Sequence, residues 1–216
     1  MQQYSIILFD LDGTISDPKV GITKSVQYAL AKMGINEPDR DSLTAFIGPP
    51  LQESFEQFYH MDSEMAGRAI GFYREYFSRV GIYENTLYSG VVELLQKLTD
   101  RGKAVVLATS KPTIYSQKIL EYFNIASYFS CVVGSHLDGT RSSKTEIIAH
   151  IGQKYPQYPK ASFIMIGDRK HDVVGARHYG IDSIAVSYGY GTVDELIQAH
   201  PTYLVNHIED LTAILW

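Results

Sequence analysis

The chain has 216 residues and a single cysteine, Cys131. No disulfide can form within it, which fits a reducing, cytoplasmic setting. Cys131 lies in an apolar run and reads as core filler rather than as a reactive thiol. There is no basic run, and the formal net charge is −5. That argues against a nucleic-acid polymer as partner, because such binding rests on a positively charged face. No apolar stretch reaches the roughly 20 residues of a bilayer-spanning helix, so no membrane partner is expected. The first residues lead straight into an apolar run without the basic segment of a secretory signal, again predicting a cytoplasmic protein. No internal repeat or low-complexity segment stands out.

What the chain does have is apolar material in short blocks. Hydrophobic residues make up 45% of it, enough for a real core. Ser5–Phe9, Ala104–Ala108, Cys131–Val133, Phe163–Ile166 and Ser183–Val186 are short, nearly continuous apolar runs rich in β-branched residues. Such runs suit strands of a parallel sheet buried on both faces. Amphipathic helical stretches alternate with them, so the expected class is α/β. In open parallel sheets ligands bind beyond the carboxyl ends of the strands, where strand order reverses. Asp10, Thr109 and Asp168 each follow such an end.

Four polar segments then stand out: Asp10-Leu11-Asp12-Gly13-Thr14, Thr109-Ser110-Lys111, Lys144, and Gly167-Asp168-Arg169-Lys170-His171-Asp172. Their chemistry fits phosphoryl transfer. A phosphate monoester dianion repels a carboxylate nucleophile, and a hard cation held by oxygens offsets that repulsion. Mg²⁺ uses one or two carboxylates together with substrate oxygen, and Asp10 and Asp168 are candidates to hold it. Asp10 can also attack phosphorus, splitting hydrolysis into two easier steps. Asp12 shares the face of Asp10 if the backbone stays extended; it can protonate the leaving oxygen and later deprotonate water. Thr109 and the Ser110 amide can bond the phosphoryl oxygens, and Lys144 can balance charge. Lys111 and Lys170 are rival candidates for the lysine. Asp172 has an alternative as an N-cap of the following helix. Arg169-Lys170-His171 either orients the acidic loop or meets an anionic substrate. Arg141 is a substrate contact or an ordinary solvated arginine.

In their order, DLDGT, TSK, a downstream Lys and GDxxxD resemble motifs I to IV of the haloacid dehalogenase superfamily of phosphohydrolases. Ile47-Gly48-Pro49-Pro50-Leu51, Gly134–Lys144 and Tyr188-Gly189-Tyr190-Gly191 resemble its phosphoglycolate-phosphatase and 5′-nucleotidase-like branch. The resemblance implies a Rossmann-like doubly wound core with an inserted helical, C1-type cap. It implies Asp10 as nucleophile, Asp12 as acid/base, and Mg²⁺ bound by Asp10, the Asp12 carbonyl and Asp168. Asp172 would be an outer-shell or second acidic ligand. The implied partner is a small phosphate monoester, phosphoglycolate or a nucleoside 5′-monophosphate, acted on by a monomer or weak homodimer.

Between motifs I and II the pattern is helical. Asp17-Pro18 reads as an N-cap and first helical residue. Ile22, Val26, Ala29, Leu30 and Met33 form one apolar stripe, Phe55, Phe58 and Tyr59 a second, and Met65, Ala69, Phe72, Tyr76 and Val80 a third. This block resembles the four-helix cap of the branch. The expected division is a core of 1–15 and 87–216 and a cap of 16–86, with Gly48 and Pro49 contacting substrate. A sugar phosphomutase of the same superfamily is the alternative activity. A signalling receiver module is disfavoured by the DxD spacing, and a dehalogenase by the unexplained acidic residues.

Overall fold

The computed structural model describes residues 4–216. In chain order the elements begin with β1 (Ile6–Phe9), β2 (Ser16–Asp17), α1 (Lys19–Lys32), α2 (Leu51–Tyr59), α3 (Ser63–Phe77) and β3 (Thr86–Leu87). Next come α4 (Val91–Asp100), β4 (Ala104–Pro112), α5 (Thr113–Tyr122), β5 (Phe129–Ser135) and α6 (Lys144–Lys154). The chain ends with β6 (Phe163–Gly167), α7 (Lys170–Tyr179), β7 (Asp182–Val186), α8 (Val193–Gln198), β8 (Tyr203–Val205) and α9 (Leu211–Leu215). Two compact units result, one of Met1–Ser16 with Leu87–Trp216 and one of Asp17–Thr86.

The larger unit is built on a six-stranded sheet of order β5-β4-β1-β6-β7-β8, parallel throughout. Every residue of β1 and of β6 is buried, as continuous apolar strands covered on both faces must be. Ile6, Leu8, Val106 and Met165 pack with Ile147 and Ile151 of α6. Each such fully buried side chain contributes about 1.5–3 kcal/mol. Strand order runs outward from β1 through β4 to β5 on one side and through β6 and β7 to β8 on the other. It therefore reverses between β1 and β6, where the open-sheet rule places a ligand. Phe9 is in register with Leu107 and with Ile166, so the residues after β1, in late β4 and after β6 lie at one edge of the sheet.

The strand expected over 104–108 continues to Pro112, with a register shift between Ala108 and Pro112, where Pro112 pairs with Ser135. Thr109, Ser110 and Lys111 thus lie within the strand rather than past its end, and Thr109 stands four residues ahead of α5.

The smaller unit holds three α-helices and two 3₁₀ turns, Ser42–Phe46 and Gly81–Tyr83, among the described residues. Of the four helices implied by the resemblance, three are α-helices among the described residues, the rest of the helical backbone being 3₁₀. The α1 start lies one residue later than its sequence signal: Pro18 is the N-cap rather than the first helical residue and Asp17 ends β2, its Oδ1 accepting the Lys19 amide at 2.9 Å. The third apolar stripe is displaced by one position. Ala66, Ala69, Tyr73 and Phe77 are buried, while Met65 and Val80 lie 41% and 45% exposed. The larger rings of Tyr73 and Phe77, stacked at 5.2 Å, take the inner face. Phe46 packs edge-on against Phe55 at 5.0 Å and Phe58 at 5.4 Å.

Candidate active site

β1 ends at Phe9, and the Asp10 amide bonds back to Ile166 O at 2.9 Å. A tight turn follows. The amides of Thr14, Ile15 and Ser16 all point to Leu11 O, and Gly13, at φ 79°, donates to Ser16 O. Asp12 stands at the head of this turn, in a β-bridge with Ser16. Asp10 and Asp12 are both buried. Asp10 Oδ1 accepts the Leu11 amide at 2.7 Å and pairs with Lys144 Nζ at 2.8 Å.

Lys144 is the first residue of α6, behind a capping box of Ser143 and Glu146. Its ammonium also donates to Ala108 O at 2.9 Å and pairs with Asp172 Oδ1 at 2.5 Å. Burial alone would lower its pKa, but the charges of Asp10 and Asp172 outweigh that and raise it, so the lysine stays a cation. The rival lysine has its own partner: Lys111 Nζ meets Asp12 Oδ2 at 2.7 Å, both side chains being under 10% exposed. Of the three candidate lysines, Lys144 therefore faces the nucleophile candidate and Lys111 the acid/base candidate. Lys170 begins α7. Thr109 is buried, and its hydroxyl accepts the Lys111 amide at 3.3 Å. Ser110 beside it is half-buried.

Asp168, just beyond β6, is wholly buried. Its Oδ2 accepts the Tyr190 amide at 2.7 Å and its Oδ1 the Thr14 hydroxyl at 3.4 Å. Glycines make the room. A Cβ on Gly13 would lie 2.1 Å from Asp168 Oδ2, one on Gly189 2.3 Å from Asp168 Cβ, and one on Gly191 2.0 Å from Asp168 O. The glycines of the 188–191 loop thus admit the carboxylate. Asp172 is not the N-cap of α7; Arg169 holds that position. Asp172 lies one turn in, buried, with Oδ2 accepting the Arg169 amide at 3.1 Å.

The electrostatics follow from burial. It raises the Asp12 carboxyl, with Lys111 opposing. Burial, and then the charges of Asp10 and Asp172, push Asp168 well above the usual carboxylate range. Asp172 is pushed up to about 6 by burial, against the pull of Lys144. Oxygens of Asp10, Asp168 and Asp172 all lie within 4.8 Å of one another. The cluster holds four buried carboxylates against two buried ammonium groups, and no ion pair reaches Asp168 among the described residues. Asp12 Oδ1 is buried without a hydrogen-bond partner among them. A set of hard oxygens with surplus negative charge and an unmet carboxylate oxygen matches what an oxygen-seeking dication needs.

The other candidates make contacts of their own. Gly48, at φ 104°, and Pro49 belong to the smaller unit and precede α2. Arg141 donates through Nε to Gly134 O at 3.0 Å. Arg169 turns to Glu195 of α8, with Nε 3.0 Å from Oε1.

A family model described as haloacid dehalogenase-like hydrolase matches residues 7–186. The chain is 44% identical over 213 residues to a 5′-nucleotidase of Pseudomonas aeruginosa, covering 99% of this chain and 96% of that one. It is 37% identical over 202 residues to a Mycobacterium tuberculosis protein named tyrosine-protein kinase PtkA, covering 94% of this chain and 68% of the relative. Among solved structures, a predicted phosphatase from Clostridium acetobutylicum superposes with a TM-score of 0.95 at 46% identity, over 99% of both chains. The chain belongs to the haloacid dehalogenase-like hydrolase family and is a phosphatase acting on phosphoric monoesters.

Proposed function

We propose that the chain hydrolyses small phosphate monoesters, nucleoside 5′-monophosphates first among them, through a phosphoaspartate on Asp10 with Mg²⁺ as cofactor. The observation that carries this is the buried cluster of four carboxylates and two lysines at the strand-order reversal. Asp10, Asp168 and the Asp12 carbonyl would hold the ion, with Asp172 behind them. When bound, Mg²⁺ offsets the repulsion between phosphate and carboxylates and polarises a phosphoryl oxygen.

Lys144 and the Leu11 amide engage Asp10 Oδ1, so Oδ2 is the oxygen assigned to attack. It forms a bond to phosphorus as the bond to the leaving oxygen breaks. Asp12, its pKa raised by burial, gives that oxygen a proton. The same carboxylate then takes a proton from water as the water attacks phosphorus, which releases inorganic phosphate and restores Asp10. Thr109 Oγ1 and the Ser110 amide donate to phosphoryl oxygens, and Lys144 holds charge on Asp10 in check.

The choice of leaving group is assigned to the unit at 17–86, and within it to Gly48–Leu51. The cluster accounts for phosphate and metal and holds nothing that separates one leaving group from another. Changing Pro49 and Leu51 to Ala should then alter the ratio of kcat/KM between AMP and phosphoglycolate; an equal fall for both would refute the assignment. In this reading the enzyme acts in the cytoplasm as a monomer or weak homodimer.

The test is phosphate release from a panel of nucleoside monophosphates, phosphoglycolate and sugar phosphates, with Mg²⁺ and with excess chelator. Release from AMP that the chelator abolishes supports the reading. Activity surviving the chelator removes the metal from it. Isomerised sugar phosphate without release would indicate the mutase. Because one relative bears a kinase name, ATP with a tyrosine peptide completes the panel, and phosphotyrosine formed without phosphate release would replace hydrolysis.

A further inference from the structure

The segment from β7 into α8 grips the acidic loop at two points. Its first grip is the Tyr190 amide on Asp168 Oδ2, at 2.7 Å. Its second is Glu195, in the first turn of α8. Glu195 Oε1 accepts from Arg169 Nε at 3.0 Å and from the Lys170 amide at 2.9 Å, and Oε2 accepts from Arg169 Nη2 at 3.4 Å. Neither side chain is more than 19% exposed.

The position of these contacts matters more than their number. The Lys170 amide belongs to the first residue of α7, where helix geometry leaves the backbone donors without an internal partner. Glu195 satisfies that donor from another helix, and its charge favours the positive end of α7. Arg169 is held on its main chain by Asp172 Oδ2 at 3.1 Å and on its side chain by Glu195. Arg169 and Lys170 follow Asp168 directly and lead to Asp172. Fixing their backbone fixes the spacing of the two carboxylates. Thr192 in turn caps α8 by accepting the Glu195 amide at 3.1 Å, which ties the glutamate to the 188–191 loop that bonds Asp168.

We propose that Glu195 is a positioning residue for the metal-holding carboxylates, setting Asp168 and Asp172 through the Arg169–Lys170 backbone. The inference rests on the Mg²⁺ reading above. Its rival is a plain structural brace between α8 and α7, which would change stability and nothing else.

Calorimetric titration of Mg²⁺ alone into the full chain, without substrate, separates the two. Partners that orient metal ligands typically contribute about 10–100-fold to affinity. Glu195→Ala should therefore weaken Mg²⁺ binding by about 10-fold. Glu195→Gln keeps an acceptor for the Lys170 amide and should recover part of the loss. In turnover the defect should appear as a raised Mg²⁺ requirement that excess Mg²⁺ repairs. Mg²⁺ affinity within roughly two-fold of wild type, alongside a lowered melting temperature, would overturn the proposal in favour of the brace. Should Glu195→Ala not fold, Glu195→Gln and Arg169→Gln carry the same test. A wild-type chain that binds no Mg²⁺, or an Asp168→Asn variant that binds it equally well, would overturn the metal reading itself and the role of Glu195 with it.

Discussion

The unit at 17–86 buries Phe46, Phe55, Ala69, Tyr73 and Phe77 and keeps its ion pairs outside, Lys19 with Asp41 at 2.8 Å and Lys24 with Glu84 at 2.5 Å. The larger unit buries aliphatic strands and also Asp10, Asp12, Lys111, Lys144, Asp168 and Asp172. Taking charges out of water costs several kcal/mol per ion, and well-packed apolar residues often serve stability as well or better. The first interior is what stability alone favours. The second departs from it at one edge of the sheet, where the departure serves chemistry. Substitutions in the two interiors should accordingly fail in different ways.

The largest effect is expected at Asp10. Asp10→Asn should lower turnover on the order of 10⁴-fold or more, while the melting temperature stays near that of wild type. Steady-state rates with a thermal melt decide it; full activity in a folded variant would break the contrast. Phe55→Ala should do the reverse. Emptying that fully buried site should cost about 3–5 kcal/mol of stability, and the folded fraction should turn over within a few-fold of wild type. Urea unfolding supplies the first number and rates at low temperature the second.

Lys111→Met sharpens the comparison inside the cluster. It leaves Asp12 buried without its cation while Lys144 keeps Asp10 and Asp172. Turnover should fall roughly 10²-fold, more for an alkyl phosphate than for p-nitrophenyl phosphate, with Mg²⁺ affinity unchanged. Equal losses for both esters would disconnect Lys111 from proton transfer.

The smallest effect concerns pH. Burial alone would raise the Glu195 pKa; the Arg169 hydrogen bond and the Lys170 amide outweigh it, and the net shift is downward. Its stabilising contribution is therefore complete above the unfolded-state value of about 4.3 and is lost as pH falls through the lower folded value. Glu195 is partly exposed, so Glu195→Gln should cost about 1 kcal/mol or less at neutral pH. That difference should shrink in acid. Denaturation curves from pH 7 to pH 3 would show it, and a gap widening in acid would contradict the sign.

Much of this was legible in the sequence, for definite reasons. β1 and β6 are apolar end to end because both faces are covered, and continuous apolar runs mark β4, β5 and β7 in the same way. Asp10, Asp12, Lys144, Asp168 and Asp172 belong to segments that their chemistry, their places beyond strand ends and the family resemblance bring together, and they occupy one buried cluster. The end of β4 was hidden, since Thr109, Ser110 and Lys111 are polar and end the apolar run at Ala108, although the strand carries on to Pro112. The third stripe of the smaller unit slipped because Met65 and Val80 are apolar but stand near or beyond the helix ends, where little covers them. The pairing of Lys111 with Asp12 and the contact of Glu195 with Arg169 join residues far apart in the chain, and no local pattern encodes them.

The three glycines pressed around Asp168 have a consequence for which sequences can occupy this fold. The position is defined by shape as tightly as by charge. A glutamate there would keep the carboxylate, but its extra methylene would have to fit where Gly13 and Gly189 close on the side chain, while Gly191 crowds the Asp168 main-chain carbonyl. Conversely, an alanine at any of the three would intrude on an acid it never touches chemically. In an exhaustive mutational map these glycines should appear as intolerant as the aspartate itself, although none of them carries a functional group. What the chain specifies at this point is an omission, made at three separated places.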